Sequence, residues 1–379
     1  MNTNFSNDQS YKSPYIGEKP METPSRPNFD PFTGERIEYD DLGNRIPKEF
    51  LSDIIKNAKK TFSRLGISLI VYGLLAVVFQ FAFAFILGII FRYAHIYVDT
   101  NTINYILVLI PMYVLSFPIM ILTLPKKTSN DIPKNKIPFL RLVGYFIIAI
   151  PAASILNVLS TILAALLSGG EAVNSVDIIA SEISPLMILT VVILGPMVEE
   201  LIFRKFLIDR TYKYGEGIAI FFSAVCFGLF HMNLYQIFYA FTLGLILGYI
   251  YCKSGKIHYT MFIHMAFNFW GSVVPLYFLS NLNLDLLESI EEIGTVTENE
   301  LALISSGDIA YLVYVIVQMC LMALGVVLFI LYFFNGKFKL ERHASDLPKG
   351  YRLKTAFINV GAILFIIYCI IFTIIALFA

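Results

Sequence analysis

The chain has 379 residues, of which 57% are hydrophobic and only 15% are charged, and its mean hydropathy is +0.70. Soluble domains carry about 25% charged residues, so this composition excludes an ordinary soluble protein. Long apolar stretches recur along most of the sequence and predict an all-α, polytopic transmembrane helical bundle that contacts the lipid bilayer. The formal net charge is zero, and we predict no nucleic-acid partner.

The N-terminal region divides into two parts. Residues 1–46 are rich in Asn, Ser, Pro, Gly and acidic side chains, which predicts a disordered cytoplasmic tail. In residues 47–64 the apolar side chains follow i, i+3, i+4, i+7 spacing beside several lysines, which predicts a basic amphipathic juxtamembrane helix on the inner leaflet. The alternative, a simple extension of the first transmembrane helix, stays open.

A transmembrane domain of about nine spans is predicted over residues 66–378. The spans are 66–91, 103–124, 142–167, 185–208, 217–232, 235–252, 258–279, 310–334 and 357–378. Lys and Arg are concentrated in the segments 1–65, 125–141, 205–216, 253–257 and 335–356, whereas the 280–309 loop carries seven acidic residues and no basic one. Because basic connections stay in the cytoplasm, we expect a multi-pass protein of the cell membrane with its N-terminus inside and its C-terminus outside.

The fourth span contains the string Glu199-Glu200-Leu201-Ile202-Phe203-Arg204, although each charge at bilayer depth costs about 2.5–3.5 kcal/mol on insertion. Glu200 and Arg204 are four residues apart, share a helix face and are expected to form an ion pair. Glu199 is rotated by about 100° and has no counter-ion nearby in sequence, which favours a general base. The alternative is a purely structural ion-pair cluster between helices.

Two further spans contain polar side chains. His264 and Asn268 are four residues apart in the seventh span, so both project from one face and are candidates for stabilising an oxyanion. Interhelical hydrogen bonding is the alternative role for such a pair. His231 closes the fifth span, which is otherwise apolar and aromatic.

The strings Glu-Glu-x-x-x-Arg, Phe-x-x-x-His and His-x-x-x-Asn follow one another on successive spans. Together they resemble the CPBP family, the CAAX-processing and bacteriocin-processing (Abi) intramembrane proteases. The resemblance covers residues from about 140 to 275. It implies a helical core around a water-filled catalytic cavity that opens to the cytoplasm, with a peptide or membrane-protein substrate. By the same resemblance the catalytic residues are Glu199, His231, His264 and Asn268, supported by Glu200 and Arg204.

The resemblance leaves two catalytic types open. Two histidines and one glutamate, His231, His264 and Glu199, provide a plausible ligand set for hydrolytic zinc. That arrangement uses Glu199 as a ligand and removes the best general base. In the alternative without a cofactor, Glu199 and His231 hold and deprotonate water, while His264 and Asn268 stabilise the oxyanion. We favour the scheme without metal, with zinc as the alternative cofactor.

The favoured function is an intramembrane endopeptidase. A catalytically silent scaffold or bacteriocin-immunity protein of the same fold is a second hypothesis. Polar groups at the midplane also mark ion paths in transporters. The spans show no inverted repeat or matching broken helices, so a transporter is disfavoured.

Overall fold

The computed structural model describes residues 37–39, 45–127, 132–171, 174, 182–283, 304–342 and 346–378. These residues fold almost entirely into helices, which confirms the predicted all-α bundle. In chain order the helices are α1 (Lys48–Ala94), α2 (Thr100–Thr123), α3 (Phe139–Ser168), α4 (Pro185–Tyr214), α5 (Glu216–Phe230), α6 (Leu234–Ser254), α7 (Ile257–Leu279), α8 (Ser306–Phe334), α9 (Lys349–Phe357) and α10 (Val360–Phe378).

Within the described residues, eight helices are long and apolar enough to cross a membrane: α1 to α4, α6 to α8, and α10. The chain is therefore a multi-pass membrane protein. The predicted span 217–232 corresponds to α5, which has only 15 residues. At 1.5 Å per residue it is about 22 Å long, which is shorter than a hydrocarbon core of about 30 Å.

Helix α1 has 47 residues and joins the predicted juxtamembrane segment to the first span without a break. Its length of about 70 Å exceeds the bilayer, so one end must project from it. The helix ends at His95, which has a left-handed φ of 50° and donates its backbone N–H to the Phe91 carbonyl. The extended-helix alternative from the sequence thus matches the backbone of residues 48–94.

A short hairpin precedes α1. Strands β1 (Glu38–Tyr39) and β2 (Arg45–Ile46) pair antiparallel, with Glu38 opposite Ile46. The Tyr351 hydroxyl of α9 donates to the Glu38 carboxylate at 3.1 Å, which attaches the hairpin to the C-terminal part of the fold. The rest of the predicted disordered tail, 1–36 and 40–44, lies outside the described residues.

Helix α10 packs closely on α1 through small residues. A Cβ added to Gly66 would lie 2.5 Å from the Gly361 carbonyl oxygen, and the Gly361 N–H donates to the Ser63 hydroxyl at 2.9 Å. Without a hydrophobic drive between helices in lipid, such close backbone approach is the main source of helix association. The last described span therefore closes the bundle against the first.

Helix α4 is irregular where it carries the charged residues. Two π-helical segments, Ile188–Leu194 and Leu201–Ile208, flank a short α-helical stretch at Gly195–Glu200. Pro196 lies at the start of that stretch and has no N–H for the preceding turn. Interruptions of this kind are frequent at functional sites.

Three of the basic connections meet at one end of the bundle. The Asn135 backbone N–H donates to the Ser254 carbonyl at 2.9 Å, and the Tyr249 hydroxyl donates to the Lys337 carbonyl at 2.6 Å. The connections 125–141, 253–257 and 335–356 therefore lie on the same side. The orientation of the termini stays a prediction from charge, and residues 284–303 of the acidic loop lie outside the described residues.

Candidate active site

Three helices bring the predicted site residues together. Helix α4 carries the two glutamates and the arginine, the residue after α5 is His231, and α7 carries His264 and Asn268. Glu200 and Arg204 on α4, and His264 and Asn268 on α7, are each four residues apart, so each pair lies on one face of its helix.

The centre of the site is a buried ion pair. Glu200 and Arg204 are both fully inaccessible to solvent, and an Arg204 Nη2 to Glu200 Oε1 distance of 3.1 Å joins them. The same carboxylate oxygen lies 3.0 Å from Nδ1 of His264 on α7. A charge left alone at this depth would be very unfavourable, so the pair fixes the approach of α7 to α4.

Glu199 differs from its neighbour in both exposure and contacts. Its side chain is 27% exposed, and its Oε2 lies 3.6 Å from His264 Nε2. Glu199 also interacts electrostatically with His231 and with the hydroxyl groups of three tyrosines, Tyr72, Tyr113 and Tyr239. No partner for Glu199 was predicted, because His264 is 65 positions away in the sequence and only the fold brings the two side chains close.

Hydrogen bonds at Nδ1 determine which ring nitrogen of each histidine is free. His231 Nδ1 lies 2.8 Å from the Phe227 carbonyl oxygen, which can only accept, so Nδ1 carries the proton. His264 Nδ1 faces the ion-paired Glu200 and donates to it. We assign these tautomers from the acceptors. In the neutral rings both Nε2 atoms are therefore free to accept a proton or bind a ligand.

Phe227 is the common support of the cationic and imidazole groups. The His231 and His264 rings pack edge-to-face on it, at centroid distances of 4.9 and 5.6 Å. The Arg204 guanidinium lies over the same ring, 4.7 Å from its centroid. One aromatic side chain thus fixes the relative positions of both histidines and the arginine.

Asn268 is held by the irregular backbone of α4. Its Nδ2 donates to the Val191 carbonyl at 2.9 Å. In a π-helical turn that carbonyl would accept from residue 196, but Pro196 has no N–H to give. The amide of Asn268 supplies the missing donor and keeps its second N–H for another acceptor.

Ser223 is a site residue that the sequence reasoning did not identify. It is fully buried, donates to the Phe203 carbonyl at 2.6 Å, and accepts from Arg204 Nη1 at 3.4 Å. The sequence contained an indication of this role, because Ser223, Phe227 and His231 follow one another at intervals of four residues along α5 and its C-cap. The same spacing places Thr260, which is also buried, one turn before His264.

The site contains side chains that could bind zinc, but they are not grouped as a zinc site. Both imidazoles have Nδ1 held by an oxygen and Nε2 free, which is the usual preparation of a histidine ligand. However, no three His, Cys, Asp or Glu side chains among the described residues are grouped so that they could hold a metal ion. As they lie in this structure, His231, His264 and Glu199 do not form such a group, and zinc stays the alternative cofactor.

Comparisons with known proteins agree with the resemblance found in the motifs. Residues 181–270, which include all six predicted site residues, match the family described as "Type II CAAX prenyl endopeptidase Rce1-like". Over 158 residues the chain is 28% identical to a Bacillus subtilis (strain 168) protein named "Putative membrane peptidase YdiL". That match covers 41% of this chain and 64% of the relative, less than two thirds of its length. No solved structure matches the chain.

Proposed function

Because residues 181–270 match the family described as "Type II CAAX prenyl endopeptidase Rce1-like", we propose that the protein is an intramembrane endopeptidase. Its substrate is a peptide or a membrane protein, and the bond is cut by water that Glu199 activates. The observation that carries the proposal is the pair of adjacent glutamates in different environments. Glu200 is fully buried and ion-paired, whereas Glu199 is partly exposed and faces a free imidazole nitrogen.

The attacking water lies beside Glu199 in this proposal. Glu199 Oε2 is 3.6 Å from His264 Nε2, too far for a good direct hydrogen bond, so the carboxylate keeps the capacity to accept from water. Glu199 takes one proton from that water, and the hydroxide attacks the carbonyl carbon of the scissile bond. His231, held through Nδ1, helps to position the water through Nε2.

The tetrahedral intermediate needs donors for its oxyanion. Asn268 offers the N–H that Val191 leaves free. His264, which we propose takes up a proton from solvent before the attack and keeps it throughout, offers Nε2–H while Nδ1 donates to Glu200. Glu199 then returns its proton to the leaving amine, so the peptide bond breaks and the base is regenerated. Glu200 and Arg204 act as positioning residues, because they hold His264 and touch no reacting atom.

The proposal does not route any step through a metal. Each of Glu199, His231, His264 and Asn268 has one role, and none has to serve both as ligand and as base. The metallo-type hydrolase, with His231, His264 and Glu199 around zinc, is the alternative catalytic type. It is distinguished by the metal content of the purified protein, as described in the Discussion.

Peptide-terminus profiling tests the proposed function directly. Membranes that contain the wild-type chain should show peptide termini that disappear when the chain carries Glu199→Ala, because the base is lost while the fold is kept. The sequence around those termini then identifies the substrate. Identical profiles for wild type and Glu199→Ala would instead favour the catalytically silent scaffold or immunity protein of the same fold.

Asn268→Ala should lower the rate of hydrolysis by about 10²–10³-fold without abolishing it, as expected for the loss of one oxyanion donor. The fall should be in kcat, because the donor acts on charge that develops after binding. Steady-state kinetics on a cleaved peptide measures it. Ser272→Ala is the matched control, since Ser272 lies one turn further on the same face and donates only to the Asn268 carbonyl. Equal losses in both variants would remove Asn268 from the oxyanion site.

A further inference from the structure

A cavity of about 220 Å³ lies where α3 begins and α6 ends. No residue of the candidate active site lines it. Its walls carry four cationic side chains and two tyrosines: Lys136, Arg141, Lys253, Lys337, Tyr145 and Tyr249. Glu341 is the one carboxylate in the lining. The cavity is therefore strongly basic.

Only one of the four cations is neutralised. Lys253 Nζ lies 2.9 Å from the buried carboxylate of Glu216 and 3.3 Å from Glu341. The other three cations are Lys136, Arg141 and Lys337. Their side chains make no hydrogen bond or ion pair with any residue that the structure describes. Three like charges around one cavity repel each other, so an anion between them would be stabilised.

The floor of the cavity is rigid and aromatic. The ring of Tyr145, which is 3% exposed, packs edge-to-face on Tyr249 at 6.0 Å and also contacts Phe338 at 6.3 Å. The Tyr249 hydroxyl bonds to the Lys337 carbonyl at 2.6 Å and so fixes the backbone that carries one of the free cations. The cationic side chains therefore surround a preformed cavity.

Exposed apolar side chains lie close in sequence to two of the cations that line the cavity. Leu140, beside Arg141, is 81% exposed, and Phe334, three residues before Lys337, is equally exposed. Both lie at ends of apolar helices, because α3 begins at Phe139 and α8 ends at Phe334. We infer from these helix ends that the cavity lies near the depth where polar head groups meet acyl chains.

We propose that this cavity binds the phosphate of an anionic phospholipid head group, with the acyl chains lying along the exposed side chains of Leu140 and Phe334. The Arg141 guanidinium suits two oxygens of one phosphate, and Lys136 and Lys337 add charge from the opposite walls. Basic cavities between transmembrane helices are typical sites for such head groups. This proposal does not depend on peptidase activity.

Lipid binding to the full chain in neutral detergent, measured by native mass spectrometry, tests the proposal. The probes are dioleoylphosphatidylglycerol, dioleoylphosphatidylcholine and inorganic phosphate. The variant removes the free cations as Lys136→Gln, Arg141→Gln and Lys337→Gln together, and Arg141→Gln alone is a milder version. The control removes three lysines of α1, as Lys56→Gln, Lys59→Gln and Lys60→Gln together, so that the change in net charge is the same.

We expect the wild type and the control to bind phosphatidylglycerol, and the Kd of the triple cavity variant to rise on the order of 100-fold. Arg141→Gln should weaken binding about fivefold, phosphatidylcholine should bind weakly, and inorganic phosphate at the same concentration should not compete. An equal loss in the α1 control would show general surface attraction and overturn the proposal. Equal binding of phosphatidylcholine, or full competition by inorganic phosphate, would overturn the assignment to an anionic lipid.

Discussion

Glu199→Gln should lower the rate of peptide hydrolysis by at least about 10²–10⁴-fold while leaving folded yield and thermal stability unchanged. Gln is nearly isosteric with Glu but cannot accept a proton from water. The side chain is 27% exposed and its contact with His264 is long, at 3.6 Å, so neutralising the carboxylate removes little folding energy. Kinetics on the purified protein, together with thermal unfolding in the same detergent, separates the two effects.

The same substitution at the adjacent Glu200 should have a different effect on stability. Glu200→Gln is the same chemical change one position along, but it leaves the fully buried Arg204 without its carboxylate, so stability should fall together with activity. Equal stability losses in both variants would reduce Glu199 to a structural role. Stoichiometric zinc in the wild type that is lost in His231→Ala, with activity restored by zinc after chelation, would replace the water-activating role of Glu199 by a His-His-Glu metal site.

Arg204→Ala should destabilise the protein by about 3–5 kcal/mol, because it removes the cation that is paired with the buried Glu200 carboxylate. The change also removes the cation that stacks on Phe227. Folded yield after extraction and the midpoint of thermal unfolding are the measurements. The rate of hydrolysis should also fall, because less protein is folded and because His264 is held less firmly.

Arg210→Ala is the matched control for this change. Arg210 lies on the same helix, stacks over Phe206 at 5.6 Å and donates to the carbonyls of Pro125 and Phe206. No fully buried carboxylate depends on it, so its removal should be less destabilising than removal of Arg204. The combined variant Glu200→Leu with Arg204→Met should recover most of the lost stability. Equal losses for the two arginines would contradict a central role for the buried pair.

The sequence predicted most of the helices because lipid imposes a simple rule. Every backbone group in a span must be satisfied within it, so long apolar segments become helices. The predicted span 142–167 lies within α3, and 310–334 agrees closely with α8. The predicted fifth span, 217–232, also matches α5 in position and length, but with 15 residues α5 is not among the eight described helices that are long enough to cross the membrane.

The composition of the site was predictable, but its geometry was not. Spacing within a helix indicated that Glu200 pairs with Arg204, because four residues make one turn. The contact of Glu200 with His264 joins two helices across 64 positions, and no local periodicity encodes it. The role of Phe227 as a shared support was equally hidden, since a phenylalanine in an apolar helix is ordinarily a packing residue.

The early end of α5 affects how water reaches the candidate active site. A helix end leaves backbone carbonyls without partners in the helix, and hydrocarbon offers none. At this end the carbonyls of Phe227, Gly228 and Leu229 are met by the His231 ring and by the N–H groups of residues 231 and 232, which leaves, among the described residues, the carbonyl of Phe230. Because α5, at about 22 Å, is shorter than the hydrocarbon core, we expect this end to lie within the bilayer and the Phe230 carbonyl to favour hydration there. The break that directs His231 towards the site therefore also wets it, in a region from which lipid would otherwise exclude the water that hydrolysis consumes.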